Sequence, residues 1–423
     1  MKNKVITRRL KTSRKKLAVT SGLLLVVLLA VSLGGCGAAA DFDSRLNSIV
    51  LPYRFSILDW EFNALFGLGE PAGSAEEIAD EPQQVLLYFD LLWEINNLRA
   101  EIDAVSNGSK PGDLAALEAG LEQLQARRQG MENAVERIIE KQVAEALAEL
   151  GISAHLLDSY LNLPVDFPPV DFALEQPPNL LIVSPRDRID SIREVPLIQE
   201  LSPEDRERIE AGVDELGVSS LVEELGGFGG TYPTFITNNA GLRFTINAVA
   251  EEWLHQYLTF RPLGFRYLLD QTGVRRDYDI ATINETVAGI VSKEIGALVC
   301  DKHYPQYGDS NDDSQPAAPV FDFNQEMREI RVAVDEYLAR GEIELAEEFM
   351  EEKRRYLLTQ GYYIRKLNQA YFAFYGTYAD SPTSINPIGD EFRLLRSQSV
   401  SLKDFLDTAA EMTSRQDLTD SIK

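Results

Sequence analysis

Val249-Ala250-Glu251-Glu252-Trp253-Leu254-His255-Gln256 is followed, thirty positions after its histidine, by Ile283-Asn284-Glu285-Thr286-Val287-Ala288. In both runs polar residues with metal-binding chemistry interrupt apolar stretches long enough for helices, expected over about 242–260 and 283–299. On a helix, Glu251 and His255 project from one face one turn apart, and Glu252 is offset toward the side of His255. Glu285, expected in the first turn of the second helix, offers a third ligand, and Ala288 and Gly289 are small enough to let the two helices approach. A carboxylate oxygen binds zinc at nearly the distance of an imidazole nitrogen, so a Glu251, His255, Glu285 set is chemically admissible. Its two carboxylates put more negative charge on the ion than one would, which shifts preference toward harder cations. The alternative is a buried hydrogen-bonded cluster without a metal, because Glu-Glu-x-x-His carries little information in a chain with 67 acids.

The chain has 423 residues, enough for two or three domains. Residues 1–16 hold eight Lys or Arg and no acid, and an apolar run over 17–31 ends in Leu33-Gly34-Gly35-Cys36. That order matches a bacterial secretory signal with a lipoprotein cleavage box, and Cys36 is the expected lipidation site. An uncleaved anchor helix is the alternative, since the run is borderline for a bilayer span. Both place the remainder outside the cytoplasm, attached to the membrane. Beyond the signal, 33 basic residues face 67 acids, a formal charge of −34. No basic stripe follows residue 36, so nucleic acid is excluded as a partner. Cys300 is the remaining cysteine, and no intrachain disulfide is expected.

A helical region over 37–150 follows the 1–36 anchor. Leu91, Ile95, Leu98, Ile102 and Val105 mark one helix. Beyond Pro111-Gly112, Leu114, Leu117, Leu121, Leu124, Met131, Val135 and Ile138 mark a second, with Arg128 interrupting its seam and Asp113 as N-cap. They predict an antiparallel hairpin, either a projecting partner-binding arm or scaffold packed on the body. The prolines over 164–178 break the next segment into extended pieces. Asn179-Leu180-Leu181-Ile182-Val183-Ser184 reads as a buried strand, Ser202-Pro203 as a helix start, and 226–236 as an edge strand or loop. The core is expected over 151–319, ending in an acidic loop over 301–319. A C-terminal helical region over 320–423 holds two helices parted near Gly341 and a last one near 402–413. The fold class is α+β, mainly helical.

Glu252-Trp253-Leu254-His255 together with Asn284-Glu285-Thr286-Val287-Ala288 resembles the gluzincin clan of zinc metallopeptidases, whose pattern is His-Glu-x-x-His with a downstream glutamate ligand. Leu367-Asn368-Gln369-Ala370 with the tyrosines to Tyr378 is similar to an element of predicted bacterial aminopeptidases of that clan. The likeness covers about 225–380. It implies a gluzincin-like core with a small sheet and an active-site helix pair. Zinc would be held by His255 and Glu285, with Glu251 where the clan has its first histidine. Glu252 would be the general base, and Tyr378 or Tyr375 a transition-state donor. Gly229, Gly230, Thr231 and Tyr232 would lie on the substrate-binding edge strand. The supporting acid that thermolysin-like members keep four residues after the glutamate is absent, because Gly289 stands there. His303 is a second possible nitrogen ligand, in a solvated acidic loop. Two functions follow from these readings: a surface-anchored metallopeptidase-like protein acting on peptides, or a non-catalytic lipoprotein that binds an envelope protein.

Overall fold

In a computed structural model, residues 39–55, 80–152, 168–229, 231, 233–271, 273–308 and 321–422 are described. The apolar run over 17–31, Cys36, His155, Gly230 and Tyr232 lie outside them. Among the described residues no helix is long and apolar enough to cross a membrane.

Helix dominates, as the pattern of apolar spacings predicts, and there are two small sheets rather than the one expected. Helix α1 (Ala39–Val50) runs into a 3-10 turn, and α2 (Glu81–Ser106), α3 (Leu114–Gln129) and α4 (Glu132–Glu149) follow. Asp113 caps α3 by accepting from the Ala116 N–H, as expected. The single second helix of the predicted hairpin is, however, two helices broken at Gly130. Glycine is about 1 kcal/mol poorer than alanine inside a helix, and Arg128 just before it is drawn sideways. Its guanidinium lies 4.2 Å from the centre of the Tyr88 ring and donates to the Asn238 carbonyl. The residue that interrupts the seam is thus buried, and it ties α3 to the body at the break.

Strands β2 (Asn179–Pro185), β3 (Arg193–Leu197) and β4 (Val218–Glu224) form an antiparallel sheet in the order β3-β2-β4. Strand alternation divides β2 between two cores. Leu181 and Val183 pack with α1 and with α5 (Pro203–Asp214), while Leu180 and Ile182 face the opposite way. The second sheet joins β1 (Phe172–Leu174), β6 (Thr234–Ile236) and β5 (Gly227–Phe228), with β5 at its edge. The 226–236 segment therefore supplies both an edge strand and its neighbour.

Helices α6 (Leu242–Leu258), α7 (Pro262–Gln271) and α8 (Tyr278–His303) come next. Asp277 starts α8 by accepting from the Ile280 N–H, so Glu285 lies two turns inside the helix rather than in its first turn. Of the small residues on α8, Gly296 leaves no room for a Cβ beside the Asn247 side chain of α6, Ala288 is fully buried in the core the two helices share, and Gly289 faces Asp380 instead. The expected loop after residue 300 is partly helical. α8 runs on to His303 and α9 (Pro305–Gly308) follows, because buried Tyr304 donates to Gln142 on α4 at 2.7 Å. Cys300, on α8, is fully buried.

Helices α10 (Phe323–Ala339) and α11 (Ile343–Thr359) part at Gly341, which adopts a φ of +74° open to glycine. Short α12 (Gln369–Tyr375), α13 (Pro387–Gln398), α14 (Leu402–Ala410) and α15 (Arg415–Ser421) complete the chain. Tyr362 and Tyr363 precede α12 and Tyr378 follows it. The largest core draws on α2, α4, β1, β6, α6, α7, α8, α13, α14 and α15 together.

Candidate metal centre

Helix α6 is anchored by its apolar face. Trp253 is buried, stacks on Tyr257 and donates its indole N–H to the Pro168 carbonyl at 2.8 Å. With that face fixed, Glu251, Glu252 and His255 must turn the other way, into a cavity of about 410 Å3. Helix α8 brings Glu285 to the same cavity, and α7, β3, β5 and the chain around α12 close it.

The sequence-predicted ligands converge. Glu251, His255 and Glu285 each offer a donor atom, and these atoms lie within 4.8 Å of one another. His255 Nε2 is 3.6 Å from Glu285 Oε2, close to the separation of roughly 3.4 Å between tetrahedral ligands on zinc bonds near 2.1 Å. His255 Nδ1 is 2.8 Å from the Asn284 side-chain oxygen. That bond orients the ring and leaves Nε2 facing Glu285, the arrangement a metal-binding imidazole needs. The donor set therefore fits a divalent cation.

The carboxylates stand in very different states. Burial outweighs every other influence on Glu251 and pushes it up to about 8, with Glu285, Glu252 and Asp380 adding repulsion and His255 opposing. Burial also lifts Glu252 to about 7, against the pull of His255 and a hydrogen bond from the Gly229 N–H. Burial would lower His255, but the Glu285 carboxylate, then Glu252 and Glu251, outweigh it and raise the imidazole to about 10. Glu285 is the reverse case. Burial would raise it, yet His255 and the hydroxyls of Tyr267 and Tyr378 hold it below the ordinary carboxylate range. Tyr267 donates to Glu285 Oε1 at 2.5 Å and stacks on the His255 ring. Without a cation, the site is an imidazolium–carboxylate pair beside one protonated acid and one poised near neutrality.

Glu252 lies under the edge strand. A Cβ on Gly229 would stand 2.6 Å from Glu252 Oε2, and one on Gly227 would collide with Oε1. Only glycine at these two positions lets the backbone pass this close to the carboxylate.

Several expected site residues lie elsewhere. Tyr378 reaches Glu285, whereas Tyr375 points away and donates to Glu223 at 3.3 Å. Gly229 lines the cavity, but Thr231 is fully buried and donates to the Pro233 carbonyl, so its hydroxyl is not available to a ligand. His303 sits among Lys302, Glu145 and Glu149 and does not join the cluster. Two groups were missed. Tyr267 comes from α7, which has no motif of its own. Asp380, after α12, places its carboxylate oxygens 3.1 and 3.2 Å from where a Gly289 Cβ would be, and pairs with Lys293. An acid therefore does occupy the space beside position 289, delivered from a distant segment that no local pattern reveals.

No family model, curated protein or solved structure matches the chain.

Proposed function

We propose that this is a membrane-anchored, extracytoplasmic metallopeptidase-like protein of gluzincin type, tethered through a lipid on Cys36 and acting on peptides. One observation carries the reading: the donor atoms of Glu251, His255 and Glu285 meet at ion-binding distance with the Glu252 carboxylate beside them. Zinc held by these three residues would supply Lewis acidity toward a water and a peptide carbonyl. Glu252, raised to about 7, is matched to take a proton from water near neutral pH and return it to the leaving amine. The Gly229 N–H bonds that carboxylate, Gly227 leaves room for it, and Asn284 orients His255. Tyr267 and Tyr378 hold Glu285 ionised and remain neutral donors themselves, since burial raises both phenols well above their usual range. Strand β5, at the edge of its sheet, lines the cavity, and an extended peptide can align along it.

A non-catalytic envelope lipoprotein is the second reading, favoured by the His255–Glu285 pair, in which each group neutralises the other without a metal. Zinc titration of the purified protein separates the two. The peptidase reading expects about one zinc per chain and a stability gain of about 2.7 kcal/mol at one hundred times the dissociation constant. Both should vanish in His255→Ala. A protein that takes up no zinc and whose unfolding is unmoved by it supports the second.

A further inference from the structure

The sheet builds the cavity wall on which the metal ligands do not lie. In that wall Glu194 of β3 pairs in register with Ile182 of β2. Ile182 lies on the face that packs against α12, so Glu194 shares that face and lines the cavity, as does Pro196 two residues on. Strand alternation calls for an apolar residue here, and a carboxylate in its place needs compensation. Among the described residues two groups act in its favour. Ser191 donates to one oxygen at 2.7 Å. Arg276, the cation whose charge acts on Glu194, is paired with Asp270 at 4.0 Å. The charges of Glu285 and Asp270 both oppose ionisation of Glu194. The hydroxyls of Tyr267, Tyr278 and Tyr378 lie within electrostatic reach of Glu194, and the same cavity has an apolar part lined by Leu180, Pro196, Leu225 and Phe374.

We propose that Glu194 determines specificity by receiving a cationic group of the bound peptide, an ammonium or guanidinium carried next to the bond presented to Glu252. The inference rests on the peptide-binding reading of this cavity. An organic cation with an aliphatic stem suits this cavity, because its charge meets the Glu194 carboxylate and its methylenes meet the apolar residues. A chain-terminal ammonium and a Lys or Arg side chain share this chemistry.

Calorimetric titration of the full chain in detergent micelles, with zinc present, tests it with two matched pairs of probes. The first is a tripeptide amide, acetylated at its N-terminus, with arginine or citrulline at the centre. The second is Ala-Ala-Ala amide, free or acetylated. The expected result is that one charged probe binds about tenfold or more tighter than its neutral match, and that the ratio falls to about one in Glu194→Gln. Discrimination in the first pair identifies a side chain, and in the second a chain terminus. Equal binding within both pairs, a ratio unchanged in Glu194→Gln, or no binding by either charged probe overturns the proposal. The wild-type comparison stands even if the variant fails to fold. Zinc titration of the same samples keeps the two ideas apart. His255-dependent zinc uptake without charge discrimination removes the cation subsite and leaves the metal centre. Discrimination lost in Glu194→Gln, in a protein that binds no zinc, does the reverse.

Discussion

Position 251 is where this chain departs most from the site its neighbours suggest. Glu251 is one turn from His255, half-buried, repelled by Glu285 and Glu252, and raised to about 8. A cation bound there must displace its proton and that of His255, so uptake couples to proton release. Glu251→His replaces one of two carboxylates with a nitrogen ligand and moves the site toward softer metals. Zinc affinity, measured by competition with a chromophoric chelator, is expected to rise by about tenfold or more, and the ratio of zinc to manganese affinity to rise with it. Unchanged affinities would mean that residue 251 does not reach the ion. Glu285, on α8, is singled out by the likeness to a downstream glutamate ligand and not by spacing, whereas Glu251, Glu252 and His255 could be related from sequence because helical spacing fixes neighbours on one turn. Tyr267, Asp380 and Glu194 could not, since each arrives from a segment whose position is settled only by long-range packing. Tyr375 and Tyr378 illustrate the limit. They are three residues apart, yet the end of α12 lies between them, and only Tyr378 reaches Glu285.

At the scale of elements, the junction of α6 with α8 decides whether the two halves of the ligand set meet. Gly296 is a tight contact within it, because a Cβ there would overlap the Asn247 side chain, whose Oδ1 is buried with no hydrogen-bond partner among the described residues. Gly296→Ala is expected to cost roughly 1–3 kcal/mol of stability by overpacking, read from urea unfolding. Gly217→Ala serves as a contrast: nothing lies within 4 Å of its Cβ position, and any cost there comes from its φ of +84° alone. The sequence points to Ala288 and Gly289 for the approach; Ala288 is fully buried in the core that α6 and α8 share, but Gly289 faces Asp380. One-dimensional spacing does not reveal which face of α8 meets α6. The start of α8 was also missed. Asp277 is a good cap by composition, but Arg275-Arg276-Asp277-Tyr278 carries no apolar period to mark a beginning. The strand over 179–184 and the helix after Ser202 were legible, since a buried apolar run and a Ser-Pro start depend only on local residues.

The molecule as a whole is acidic, and much of that charge is held against its preference. Glu136 and Glu140 on α4 accept from the Leu174 and Phe172 N–H groups at 2.7 and 3.1 Å, joining the helical region to β1. Burial lifts both to about 7. Between their unfolded values near 4.5 and about 7 the folded protein holds protons that the unfolded chain has lost, so stability falls as pH rises through that window. Glu132, Glu175 and Glu223 are shifted in the same direction by burial. His255 acts at higher pH: its contribution is complete below about 6.5 and is lost as pH climbs through about 10. The protein is expected to be more stable at pH 5.5 than at pH 8 in denaturant titrations. Glu136→Gln with Glu140→Gln should flatten that difference by on the order of 1 kcal/mol per site after allowance for solvent screening. A steeper slope in the double variant would rule the account out. The buried thiol of Cys300 lies on α8, the helix that also carries Glu285. In a chain beginning after residue 36 it is the only sulfhydryl, so its rate of reaction with a maleimide times every opening of the helix that holds the site. The protein thus carries its own clock for breathing motions, readable by mass spectrometry with no introduced label site.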